Sequence, residues 1–303
     1  MKKIISMLLI LALATGMIGM ASADGWTAAA PNGAPALALA MVMKDNPEAV
    51  TLVAADTIAA EFSKGESDFL VAPINAGAKL FKAGKSDYLL AAVVTWGNLV
   101  FASQKKDFSL ESMNGSTLTL FGENTINASI ALYVLEKNGI TPAAVEYLAG
   151  AAETQSLLLT DAESIVMTAE PAVTAAKMKN ENVTSIPLND LYREATGFDG
   201  FTQAGLFVRK ATAEEKPEMV KEFLSLVKTS CDAVESDLAA VAEASVALEI
   251  LPNAKVAQAA IPNCSIRYAA ATDVRDQIET TAGIDLTQYG GALPDDAFYY
   301  AAE

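Results

Sequence analysis

One pattern occurs twice in this chain and restricts the fold more than any single motif does. Residues 28–42, "AAAPNGAPALALAMV", and residues 118–134, "LTLFGENTINASIALYV", are each a short apolar run, a Gly- and Asn-bearing loop, and an apolar helical stretch. A second pair follows in the same relation: residues 69–82, "FLVAPINAGAKLFK", and residues 165–179, "IVMTAEPAVTAAKMK". Here a strand ends in a small residue, a proline follows, and an Ala-rich helix comes next. Strands that alternate with helical patterns predict β/α units and parallel sheets rather than an all-β sandwich. Two similar β/α halves in 303 residues suggest two lobes of one architecture.

The remaining elements fit that scheme. Strands are expected at Trp26–Ala30, Ala49–Ala55 and Asp68–Pro73. Pro35 suits the first turn of a helix, where its missing N–H costs nothing, and Asn75 is expected to start the next one. Apolar runs at Tyr88–Val94 and Leu99–Ala102 flank "TWGN", and the polar stretch Gln104–Asn114 reads as a crossing between lobes. Gly139 closes the long helix of the second half as its C′ residue. A strand begins near Gln203 after the loop "GFDGFT", and from Ala213 onward the pattern is almost wholly helical.

The first residues read as an export signal. Lys2 and Lys3 precede an apolar run, Ile4–Ile18, and the small-residue site Ala21-Ser22-Ala23. That run is shorter than the ~18–20 residues needed to span a bilayer, so a mature chain beginning near Asp24 is expected, periplasmic or extracellular. No cysteine follows the signal to mark lipid attachment. Losing Lys2 and Lys3 takes the formal charge of −16 to −18, which repels nucleic acid and anionic membrane surfaces.

The sequence contains no histidine, which removes the usual zinc sites and the His-dependent triads. Neither a P-loop, a G-x-S-x-G elbow nor a G-x-G-x-x-G fingerprint after a strand is present. No cofactor or metal is expected. Cys231 and Cys264 permit a disulfide in an oxidising compartment, and two separate buried thiols are the alternative.

In open parallel sheets, ligands sit beyond the carboxyl ends of strands, where loops lead into helix N-termini with free N–H groups. Such loops are Pro31–Pro35, Pro73–Ala76, Gly122–Asn127 and Ala169–Pro171, with Thr95–Asn98 between strands. The candidate ligand-binding residues are therefore Asn32, Gly33, Asn75, Trp96, Asn98, Glu123, Thr125, Asn127 and Glu170. Each has a plainer use: asparagines cap helices, glycines permit tight turns, and an isolated Trp beside a strand is usually core. None of these loops carries a catalytic constellation. A paired-carboxylate enzyme would draw on Glu123, Asp161, Glu163 or Glu170, of which Asp161 and Glu163 are better explained as solvated.

The exported start, "PNGAPALALA", residues 69–99 "FLVAPINAGAKLFKAGKSDYLLAAVVTWGNL" and the later "AEPAV" together resemble a type II periplasmic binding protein. The likeness is to the solute-binding component of ABC importers in the nitrate, sulfonate, taurine and thiamine-precursor group. It extends over the mature chain and is most specific in residues 68–99. The resemblance implies an α/β fold of two lobes, each a mainly parallel sheet flanked by helices, with two crossing strands as hinge. Residues 24–106 and 206–303 would form the first lobe, and residues 107–205 the second. Closure would bend the chain near Gln104–Ser109 and Phe201–Gly205.

On this reading the protein delivers a small organic solute to an ABC permease, works as a monomer and performs no chemistry. The candidate loops contain no Lys or Arg. Asn, Thr and Glu around a Trp favour a neutral or cationic solute, although helix N-termini alone can hold a sulfonate. Two other readings use the same scaffold. One is an exported enzyme with Glu123 or Glu170 as acid or base; the other is a ligand-sensing protein that reports to a membrane receptor.

Overall fold

The computed structural model describes residues 25–301, so the expected signal, residues 1–23, lies outside the described residues. Among these, the apolar runs become eleven strands: β1 (Ala28–Pro31), β2 (Val50–Val53), β3 (Phe69–Pro73), β4 (Tyr88–Thr95), β5 (Leu99–Ser103), β6 (Thr117–Phe121), β7 (Ala144–Leu148), β8 (Ile165–Ala169), β9 (Thr184–Pro187), β10 (Ala204–Arg209) and β11 (Ile266–Ala270). They form two sheets, in the orders β11-β4-β10-β3-β1-β2 and β7-β6-β8-β5-β9.

The repeat seen in the sequence is a repeat of topology. β1 lies parallel between β2 and β3, as β6 lies parallel between β7 and β8. Beyond β3 comes β10 and then β4, each antiparallel to the strand before it. Beyond β8 come β5 and then β9, again antiparallel. Each sheet is therefore mixed, not mainly parallel as the sequence led us to expect. In each, the strand that arrives from the other half of the chain, β10 or β5, runs antiparallel to both its neighbours, and the edge strand β11 is antiparallel to β4 as well.

Sheet membership also moves one boundary. β5 belongs to the second sheet, so the first crossing is Trp96–Asn98, and Gln104–Asn114 is a loop within the second half. The second crossing leads into β10 at Ala204, within the expected Phe201–Gly205. Trp96, at the start of the first crossing, and Phe101, beyond its end, enter different clusters of buried side chains.

Helices cover both faces of the first sheet. On one face Phe223, from the helix Pro217–Ser236, stacks on Phe69 of β3 with ring centroids 3.9 Å apart and lies 4.5 Å from the Trp26 ring. On the other, Phe62 and Phe298 pack edge-on against Phe207 of β10. β3 is apolar at each residue from Phe69 to Ala72 because both its faces are covered. Three local expectations change. The helix begun at Ala34 breaks after Leu37 and resumes at Ala40. The helix after β3 starts at Ile74 with Pro73 at its cap, so Asn75 stands inside the first turn. β11 interrupts the C-terminal helical region as a part-exposed edge strand.

Cys231 and Cys264 are both buried and both free thiols. Their sulfurs lie near different backbone carbonyls, Ala38 and Ala260, and burial pushes both thiols far above their ordinary range. The bridge allowed by the sequence is not present.

A buried acid fastens the end of the first sheet remote from the crossings. Asp68 is 8% exposed and accepts from Thr27 N (2.9 Å), Thr27 Oγ1 (3.2 Å) and Thr212 Oγ1 (2.8 Å). The Arg209 guanidinium stands 3.9 Å away. Asp68→Ala strands these donors in a buried site, which costs about 2–4 kcal/mol. The expected result is a lower urea midpoint with an unchanged slope; an unchanged midpoint would show that water satisfies the donors equally well.

Candidate functional site

The two crossings meet at the carboxyl ends of the strands, and they meet at contact distance. Gly97 has φ +85°, and a Cβ there would fall 2.5 Å from both Asn189 Oδ1 and the Phe201 ring. A Cβ on Gly200 would fall 2.4 Å from the Trp96 carbonyl oxygen. Backbone at a crossing has no full ladder, so side chains and neighbouring loops must supply its partners. Asn189 Nδ2 donates to the carbonyls of Trp96 and Gly97, both at 2.9 Å, and reaches Ser265 Oγ at 3.3 Å. Trp96 N donates to Ser265 O at 3.0 Å, and Gln203 N to Thr95 O at 3.0 Å.

The nine residues singled out in the sequence fall into three groups. Asn98 and Glu170 are brought together: Glu170 N donates to Asn98 O, and Asn98 Nδ2 to Glu170 O, each at 2.8 Å. Trp96 sits beside them but is only 2% exposed. Its Nε1 donates to Arg267 O at 2.8 Å, and the Arg267 guanidinium covers the ring at 4.2 Å. Trp96 is therefore packed into the crossing, and a cation of the protein already occupies a face of its ring.

The second group lies on the helix-leading loops of the two sheets. Thr125 Oγ1 donates to Gly122 O at 2.6 Å within its own turn, while the side chains of Asn75, Glu123 and Asn127 make no hydrogen bond to a described residue. The third is Asn32 with Gly33, a loop whose Asn32 Oδ1 accepts from Gly33 N at 2.8 Å. Gly33 has φ +110° with open space where a Cβ would stand, so the conformation, not crowding, requires glycine. No hydrogen bond joins Asn32 or Gly33 to Glu123, Thr125, Asn127 or Glu170.

Other residues bridge the two halves. Ile126, first residue of the helix Ile126–Lys137, packs against buried residues of both sheets. Ser129 Oγ donates to Asp285 Oδ2 at 2.7 Å, and Gln288 Nε2 to Asn124 O at 3.0 Å. The helices Ala254–Ala260 and Ala172–Lys179 pack against each other on the opposite face. The helices that open at Ile74, Ile126, Ala151 and Ala172 have no side-chain cap bond. Two of these N-termini are partly satisfied otherwise: Ile74 N donates to Gln203 O at 3.1 Å, and Thr174 N to Glu170 Oε2 at 3.3 Å.

Glu170 is the one charged residue of the nine that is buried, at 5% exposure. Burial pushes its carboxyl above the ordinary value, and the Thr174 hydrogen bonds and the Lys177 charge offset only part of this. It lines a cavity of about 340 Å³ with Asn98, Lys177, Asn189 and Arg193. Basic groups thus stand beside Glu170, although the strand-end loops have none. Lys177 donates to Ser185 Oγ at 2.7 Å, and Arg193 pairs with Asp190 and Asp199. Sequence reasoning passed over Asn189, Ser265 and Arg267; each belongs to a segment far along the chain from the loop it holds.

Two outcomes are expected. Gly200→Ala drives a methyl into the Trp96 carbonyl and costs about 1–3 kcal/mol, read as a fall in the urea midpoint; wild-type stability would mean the crossings separate freely. For Glu170, a raised pKa means the folded state holds the proton more tightly, so ionisation costs stability as pH rises from the unfolded value of about 4.3 through the folded one. Glu170→Gln removes that cost. Its melting temperature exceeds wild type near neutrality and converges with it below about pH 4; parallel curves would refute the assignment.

Residues 89–237 match the family model described as NMT1/THI5 like. No curated protein sequence matches the chain. Among solved structures it is similar to an ABC transporter from Parabacteroides distasonis, with 20% identity, 92% of this chain and 99% of that one covered, and a TM-score of 0.77. It is also similar to the periplasmic aliphatic sulphonate binding protein SsuA from Escherichia coli (14%, 92% and 92%, TM-score 0.71). A third is the ligand-binding component of an ABC-type import system from Staphylococcus aureus with zinc bound (14%, 91% and 96%, TM-score 0.68). The fold is that of periplasmic binding proteins, and the second and third of these neighbours are named as binding proteins or binding components.

Proposed function

We infer that this chain, with the fold of importer binding components and residues 89–237 matching the NMT1/THI5-like family, is an extracytoplasmic solute-binding protein that delivers a small organic molecule to an ABC permease. The observation that carries this reading is the crossing itself. Two sheets of one topology are joined at a single level, with helix N-termini of both halves at that level and few hydrogen bonds between the halves. Such a joint favours closure of one half on the other around a solute, a hinge motion without chemistry. Export by residues 1–23, lobes that divide at the crossings, and action as a monomer belong to the same proposal.

For the solute, we favour a neutral or cationic molecule, with Glu170 and Asn98 among its contacts and Asn32, Gly33, Asn75, Glu123, Thr125 and Asn127 on the facing loops. A buried carboxylate whose hydrogen-bond donors among the described residues come from Thr174 alone gains most when a positive group arrives. A sulfonate is the second reading, favoured by the uncapped helix N-termini at Ile126 and Ala151, whose free N–H groups suit an oxyanion.

A thermal-shift panel of sulfonates, amines, pyrimidines and vitamin precursors separates the two. An amine or neutral nitrogenous compound is expected to raise the melting temperature and to reduce the radius of gyration in solution scattering. Glu170→Gln then weakens its binding by about tenfold or more, the loss of one charge-assisted contact. Stabilisation by sulfonates alone, undiminished in Glu170→Gln, would overturn the cationic preference; turnover of any bound compound would overturn the binding-protein reading.

A further inference from the structure

A cavity of about 580 Å³ lies beside the crossings, between Trp96, the loop that carries Asp199, the C-terminal end of the helix Pro217–Ser236, and the start of β11. Trp96 is the only candidate solute residue in its lining. The volume suits a small molecule. Val234, Leu238 and Ile266 give it an apolar wall, and three charged residues stand around that wall: Arg267, Glu235 and Asp199.

The pairing of those charges is informative. Asp199 is taken by Arg193 Nε at 2.9 Å. Arg267 makes no ion pair with any described carboxylate, although the chain carries 37 acidic residues against 21 basic ones. Instead its guanidinium lies over the Trp96 ring, 4.2 Å from the centroid, and its carbonyl accepts from Trp96 Nε1. Glu235 is likewise unpaired among the described residues. Arg267 and Glu235 line the same cavity without pairing with each other, so both charges are left to a ligand beside an apolar wall.

An anion alone would meet Glu235, and a cation alone would meet Arg267. A molecule with both charges and an apolar body satisfies each group and covers the wall. We propose that this cavity is a second small-molecule site, for a zwitterion of the amino-acid type, whose carboxylate pairs with Arg267 and whose ammonium faces Glu235. The site adjoins the Glu170 cavity, with which it shares Asp199, Pro262 and Ser265, but it does not rest on the solute-delivery reading. Its occupant touches Trp96 at the first crossing and the Asp199 loop that leads into the second.

The test is isothermal titration calorimetry of the full chain with three probes of one shape. They are L-phenylalanine, 3-phenylpropionate, which lacks the ammonium, and phenethylamine, which lacks the carboxylate. L-phenylalanine is expected to bind at least tenfold more tightly than either of the others, and Arg267→Met and Glu235→Gln each to weaken it at least tenfold. Both side chains are exposed, and a melting curve of each variant checks the fold; Glu235→Gln carries the test alone if Arg267→Met is impaired. No binding of L-phenylalanine, or binding unaltered in these variants, overturns the site. Equal binding of 3-phenylpropionate overturns the zwitterionic class.

Discussion

The contact between Gly200 and the Trp96 carbonyl is the constraint on which the rest of the architecture depends. Two backbone segments that pass without room for a Cβ cannot both lie in a sheet, yet each has polar groups to satisfy. The Asn189 amide resolves this by bonding two successive carbonyls of the first crossing. Both crossings are thereby pinned at one level, beside the carboxyl ends of strands from the two sheets. Hydrogen bonds elsewhere between the halves, such as Ser129 to Asp285, engage side chains on helices and can break without disturbing either sheet.

The repeated topology explains how one device serves both halves. β3 ends in Ala72-Pro73 and a helix opens at Ile74, while β8 ends at Ala169 and its helix opens at Ala172, after Glu170 and Pro171. In the first half the helix N-terminus is consumed, since Ile74 N donates to Gln203 of the second crossing. In the second half, Glu170 occupies the equivalent level and binds the first turn of its helix through Thr174. A carboxylate at a helix N-terminus is normally a favourable arrangement. Here desolvation outweighs it, which is why the carboxyl is pushed up rather than down. Stability lost to a buried charge is a common mark of a site kept for something other than folding.

Much of this was readable from residues alone, and what escaped did so for definite reasons. Strand-loop-helix repeats are local, and β1 with β6, and β3 with β8, stand at equivalent places in the two sheets as their sequences indicated. The first crossing was sought in Gln104–Asn114 because composition turns polar there, but polarity reports exposure and not a change of sheet. The actual signal was one glycine with positive φ in "TWGN", flanked by runs equally apolar because both β4 and β5 are buried. β11 escaped because an edge strand, open to solvent, lacks a clean alternation. Trp96 looked available to a ligand because its partner, Arg267, is remote in sequence. Which of the loop asparagines meet a solute is not written in local pattern at all.

The same remoteness bears on charge. A net −16 acts over distances of a Debye length or more, where it slows the approach of anions and favours cations. It does not determine what is held at the crossing, where Lys177, Arg193 and Arg267 are gathered from three separate segments around the Asn98–Glu170 pair and Trp96. Two of those cations are already committed, Lys177 to Ser185 and Arg193 to its two aspartates. Only Arg267 is left with an aromatic ring in place of a carboxylate. The net charge of the chain therefore does not foretell the local balance at its crossings, where Arg267 is the one guanidinium without an ion pair among the described residues.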